Sequence, residues 1–188
     1  MKNLMIKRRI PLYKDCVSFE AMPVGIKIPI VLASSFLTGV AAQVRIPLPF
    51  TPVPVTAQVF AVLVFAGLLG RSWASAGQFL YLAFGLAGIG WFTSGVSGVG
   101  VTFGYLVGFV AMAWIAGKTA SSMREKAMQM LLGIMAMYAC AIAWLIWYLK
   151  ISLWHALLVG VFPFFFLDIG KALLAAWIVQ FLSKEDFV

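Results

Sequence analysis

Apolar residues run along this chain in long blocks, separated by short stretches of proline, glycine, serine or basic residues. A helix that crosses a bilayer needs roughly 20 predominantly apolar residues. Six blocks predict six such helices, at about 26–43, 55–69, 73–87, 101–116, 127–149 and 163–182. From Ser72 to Gly117 no residue is formally charged, which leaves room for two crossings and a connection.

The interruptions are as informative as the blocks. After the first comes RIPLPFTPVPVT, in which Pro47, Pro49, Pro52 and Pro54 rule out a continuing helix and predict a stiff, extended loop. Gly70-Arg71 predicts a short turn. Between Gly88 and Gly100 five glycines alternate with Ser and Thr, so the backbone there can approach a ligand closely. KTASSMREK predicts a polar turn. The segment ISLWHALLVGVF is too short to cross, and its Trp154 and His155 suit an interfacial position. Pro163 can begin the last helix.

Composition sharpens this picture. The 188 residues are 63% hydrophobic and 11% charged. No soluble domain of this length hides so much apolar surface, so the expected fold is an all-α integral membrane domain of six transmembrane helices. Residues 25–188 form that domain, after a basic tail at 1–24. The tail has no apolar core of the kind a secretory signal needs. Cys16 and Cys140 offer neither a disulfide framework nor metal-ligand spacing.

The net charge of +8 does not point to nucleic acid, because its placement follows the membrane. Lys2, Lys7, Arg8, Arg9, Lys14 and Lys27 cluster at the start, and Arg71, Lys118, Arg124, Lys126 and Lys184 fall on even connections and the C-terminal end. Odd connections carry only Arg45 and Lys150. The positive-inside rule then puts both termini in the cytoplasm and the proline loop, glycine loop and short segment together on the outer face. Contact with membrane lipid, including anionic headgroups, follows from the same distribution.

Within the last apolar block stand Asp168 and Lys171. Each costs about 2.5 to 3.5 kcal/mol at mid-membrane on insertion scales, and the i, i+3 spacing lets them neutralise one another. Such a pair either locks helices together or grips a polar ligand. Tyr81 and Tyr105 carry hydroxyls that need partners inside a span, and Gln78 lies one turn before Tyr81. Asp168, Lys171, Gln78, Tyr81 and Tyr105 are therefore the candidate ligand-binding residues. Phe50, Trp91 and Phe92 can supply apolar walls. Thr56 and Gln58 read as structural, and Arg45 sits at the outer mouth. On the first helix, Ser34, Thr38 and Ala42 form one small-residue ridge and Ser35 and Gly39 a second, suited either to a docking partner or to packing within the domain.

No GxxxxGK[ST] phosphate loop is present, so uphill transport needs another protein, or the chain works alone as a facilitator. Gly95-Val96-Ser97-Gly98 matches the GxSG motif of rhomboid-type intramembrane proteases, with His155 as the available base. The histidine lies in the short interfacial segment rather than in a span, and the chain does not read as an enzyme.

IPLPFTPVPVTAQVFAVLVFAGLLG, GQFLYLAFGLAGIG, FGYLVGF and ALLVGVFPFFFLDIGKALLAA resemble the BioY family, the biotin-binding S components of energy-coupling-factor (ECF) transporters. The likeness covers residues 30 to 178. It implies a six-helix S-component fold in a bacterial cytoplasmic membrane that takes biotin from outside. A transmembrane coupling subunit and two ATPase subunits are the implied partners. It further implies that Asp168 and Lys171 help hold biotin, with no cofactor or metal. The ion pair fits either the ureido edge or, through Lys171, the valerate carboxylate; another small carboxylate vitamin is the alternative cargo. Leu167 stands where the family usually has glycine, and the glycine loop before Tyr105 is short.

Overall fold

The computed structural model describes Phe19, residues 22–92, Gly95 and residues 97–184; most of the predicted basic tail lies outside the described residues. Among the described residues six α-helices form: α1 (Val24–Gln43), α2 (Gln58–Leu86), α3 (Phe103–Ala116), α4 (Met123–Leu149), α5 (Leu153–Gly160) and α6 (Phe162–Lys184). Four of them, α1, α2, α4 and residues Phe162–Ser183 of α6, are long and apolar enough to cross a membrane, and α3 is a shorter apolar helix. The protein is thus a mostly helical, multi-pass membrane protein.

The second and third predicted helices are the two arms of α2. Gln58 Nε2 donates to the Tyr81 hydroxyl at 2.9 Å. In a straight helix these residues would lie about 34 Å apart. The chain reverses at Gly70, whose φ of +75° and ψ of 168° suit a residue without a Cβ. Arms 58–69 and 71–86 therefore run antiparallel, and the turn lies where the sequence predicted one.

The remaining boundaries shift by a few residues. Helix α4 starts earlier than the apolar block because Ser122 and Glu125 build a capping box: Glu125 N donates to Ser122 Oγ at 3.2 Å, and the Glu125 carboxylate accepts from backbone N–H groups. The short interfacial segment is helical, as α5, capped by Ser152. The proline loop differs from expectation. Its two ends pair as antiparallel strands β1 (Arg45–Ile46) and β2 (Val55–Thr56), so the prolines occupy a hairpin closed at its base.

The connections segregate to two ends. At the basic end Arg71 stacks on Trp114, and Lys126 Nζ donates to Ser183 Oγ at 3.4 Å. At the other end lie the hairpin, the glycine loop and α5. There Thr51 Oγ1 donates to Val159 O at 2.6 Å and Trp144 Nε1 to Gly100 O at 3.0 Å.

Lys27, which the sequence reading grouped with the basic residues at the start of the chain, is a buried residue in the first turns of α1, with its ammonium 5.4 Å from the Trp73 ring. The small ridges of α1 are also turned inward. Ser35 Oγ donates to Gly77 O at 2.6 Å, and a Cβ on Gly77 would lie 2.5 Å from Ser34 Oγ, so these small residues let α1 and α2 pack closely. Large side chains such as Phe36, Leu132, Trp147 and Phe166 stay exposed, as a surface solvated by lipid requires.

Candidate functional site

A charge in an apolar core is tolerable when its hydrogen-bonding capacity is met. Asp168, in the second turn of α6, is 3% exposed. Lys171 Nζ lies 2.8 Å from its Oδ1, and the Tyr138 hydroxyl of α4 donates to Oδ2 at 2.6 Å. The same ammonium donates to Thr56 O of β2 at 3.0 Å. One ion pair thereby ties α6 to α4 and to the base of the proline hairpin.

The ion pair forms one wall of a cavity. Val53, Pro54, Val55, Leu106, Phe109, Met137 and Phe164 supply apolar surface, while Thr56, Gln58, Thr102, Tyr105, Asp168 and Lys171 supply polar groups. Its free interior is about 40 Å³ within an envelope of about 440 Å³. Apolar walls with a few converging polar groups are the ordinary build of a small-molecule site.

The donor inventory indicates what this wall offers. An ammonium has three N–H donors; Asp168 and Thr56 take two, leaving one for a further acceptor. Each carboxylate oxygen of Asp168 accepts one bond from Lys171 or Tyr138 and keeps a lone pair, which suits an N–H donor. Side by side, these groups complement a ligand edge that presents both N–H and C=O.

Of the five predicted site residues, Asp168, Lys171 and Tyr105 line this cavity. The Tyr105 hydroxyl donates to Gly160 O at 2.5 Å and so joins α3 to α5. Tyr81 and Gln78 are fully buried and do not line the cavity. Tyr81 receives the Gln58 amide, which itself reaches the cavity, and Gln78 Nε2 donates to Thr38 Oγ1 of α1 at 3.2 Å. Trp91 and Phe92 pack on Tyr81 with ring centroids 5.4 Å away, and Gln43 Nε2 holds their carbonyls at 3.3 and 3.1 Å. Phe50 is 64% exposed on the hairpin.

Sequence reasoning missed Tyr138 and read Thr56 and Gln58 as structural. The rule that singled out Tyr81 and Tyr105, a hydroxyl in a span needing a partner, applies equally to Tyr138 within MAMYACAIAW. The protease motif gains no support. Ser97 is exposed in the glycine loop, His155 Nδ1 lies 3.3 Å from Ser152 Oγ at the start of its own helix, and no Ser97–His155 hydrogen bond forms among the described residues.

Comparison with known proteins gives consistent matches. A family model described as the BioY family matches residues 20–185. The chain is 30% identical over 164 residues to "Biotin transporter BioY" of Thermotoga maritima, covering 84% of this chain and 96% of that protein. It is 30% identical over 143 residues to "Biotin transporter BioY2" of Lactococcus lactis subsp. cremoris, covering 72% and 79%. Among solved structures, the crystal structure of an S component for biotin from an ECF-type ABC transporter superposes with a TM-score of 0.77. That match has 23% identity over 86% of this chain and 92% of the other, a likeness of fold.

Proposed function

This chain belongs to the BioY family, and we propose that it is the biotin-binding S component of an ECF transporter in a bacterial cytoplasmic membrane. In this reading six segments cross the bilayer, the arms of α2 counting as two, with both termini cytoplasmic. The observation that carries the reading is the buried Asp168–Lys171 pair, braced by Tyr138, in the wall of an otherwise apolar cavity.

Biotin presents a ureido ring with two N–H donors and a carbonyl, an apolar bicyclic body and a carboxylate tail. The Asp168 carboxylate accepts from a ureido N–H, and the remaining Lys171 donor meets the ureido carbonyl. Phe109, Phe164 and Leu106 enclose the rings. Charge-assisted hydrogen bonds of this kind are stronger than neutral ones. The Thr51–Val159 and Lys171–Thr56 bonds fasten the proline hairpin to α5 and α6 beside this site.

Since the chain carries no phosphate-binding loop, ATP-driven uptake falls to a transmembrane coupling subunit and two ATPase subunits. The test is uptake of radiolabelled biotin by cells lacking their own biotin uptake system, with and without coexpressed energising subunits. Accumulation above the external concentration only with all subunits present supports the proposal. Equal accumulation by the chain alone would overturn the need for partners, and no uptake under any combination would overturn the assignment.

A further inference from the structure

A second recess lies on the surface of the bundle, away from Asp168, between the second arm of α2, α3 and α4. It holds about 400 Å³ and is lined by residues including Ser75, Val107, Val110, Ala111, Trp114 and Cys140. Ser75 Oγ is engaged in a hydrogen bond to Val110 O at 3.2 Å, and the lining is almost wholly apolar. From Trp114 to Val107 the groove follows α3 for about 10 Å toward the bilayer centre.

Arg71 stands at its basic end. The guanidinium lies 3.8 Å from the centroid of the Trp114 ring, and Ser75, one turn along from Arg71, shares its helix face. Arg71 Nε is buried with no hydrogen-bond partner. The two carboxylates among the described residues are committed elsewhere, Glu125 to the cap of α4 and Asp168 to Lys171. A guanidinium fixed against an aromatic face with donors to spare is suited to a phosphate, which it can grip in a bidentate fashion.

We infer that this groove binds one anionic phospholipid of the leaflet on the basic side, its phosphate on Arg71 and one acyl chain along α3 toward Cys140. The juxtaposition is specific: an apolar trough of acyl-chain character runs up to Trp114, and the guanidinium stacked on that ring has no carboxylate partner among the described residues. The site is independent of the biotin cavity.

Native mass spectrometry of the detergent-purified chain tests this, with dioleoyl-phosphatidylglycerol and dioleoyl-phosphatidylcholine offered at equal concentration. The expected result is one retained phosphatidylglycerol, preferred about fivefold, as befits a single cation near a phosphate. Arg71→Gln, which removes the cation stacked on Trp114 of the groove lining, abolishes the preference, whereas Lys118→Gln, at the same end, keeps it. Equal retention of both lipids by the wild type, or loss of preference in both variants alike, overturns the inference. Should Arg71→Gln elute as aggregate, Arg71→Lys decides: a reduced preference supports the guanidinium fork, and an unchanged one overturns it.

Maleimide labelling of Cys140 in nanodiscs, in a Cys16→Ser background, reads the acyl chain. Slower labelling in phosphatidylglycerol than in phosphatidylcholine, abolished by Arg71→Gln, is the expected outcome. Protection that depends on an added coupling subunit and not on the lipid would make this a protein-docking face and overturn the lipid assignment.

Discussion

The Tyr138 hydroxyl donates to Asp168 Oδ2 at 2.6 Å across 30 positions of sequence. It satisfies one oxygen of a buried carboxylate whose other oxygen belongs to Lys171, and it fixes where the α6 ion pair points. Removing it should therefore disturb binding without removing any charge. Tyr138→Phe is expected to weaken biotin binding about tenfold, or about 1.4 kcal/mol, in calorimetry on folded protein. Unchanged affinity would show that the ion pair is held by α6 and Thr56 alone.

Lys171 serves both the carboxylate and the hairpin. Lys171→Ala strands Asp168 without its cation, a loss of about 3–5 kcal/mol for a buried pair. Lower thermal stability and weaker binding should therefore appear together. A Lys171→Ala protein with wild-type melting temperature and wild-type affinity would contradict the arrangement.

Gln58 reaches the cavity, whereas Tyr81, which does not line it, acts through Gln58. Tyr81→Phe should cost about threefold in affinity or less, and Gln58→Ala about tenfold. Binding assays on both variants that gave the reverse order would place the ligand deeper, against Tyr81 and Trp91.

Gly70 turns α2 back on itself at φ +75°. A Cβ there strains the backbone by about 1–3 kcal/mol, so Gly70→Ala should lower the melting temperature in detergent. Gly108 makes a separate test: its added Cβ would meet Met137 Cα at 2.8 Å and Met137 O at 2.9 Å. Gly108→Ala pushes α3 from α4 and should cost about 1–3 kcal/mol. Melting temperatures equal to wild type in either variant would contradict that packing.

The helices were legible because each is a block of apolar residues ended by punctuation with a mechanism: prolines after α1, glycine at 70, the polar KTASSMREK turn before α4; the Ser122–Glu125 capping box that starts α4 earlier was not read. The Asp168–Lys171 pair was legible because charge in an apolar block is costly. Facing relationships were much less so. Lipid is as apolar as the bundle core, so the buried and lipid-facing sides of a helix differ little in hydropathy. That is why Tyr138 went unnoticed, why the small ridges of α1 could be read as facing a partner, and why Gln78, buried against Thr38, lies away from the cavity. The hairpin strands escaped because two-residue pairing leaves no periodicity to read.

The measurement closest to the central claim is calorimetric titration of biotin into the detergent-purified chain, with Asp168→Asn in parallel. The substitution is nearly isosteric and removes the carboxylate charge. The account predicts saturable one-to-one binding by the wild type and at least about tenfold weaker binding by the folded variant, about 1.4 kcal/mol. Equal affinity in the two proteins, or no binding by well-folded wild type, would contradict it.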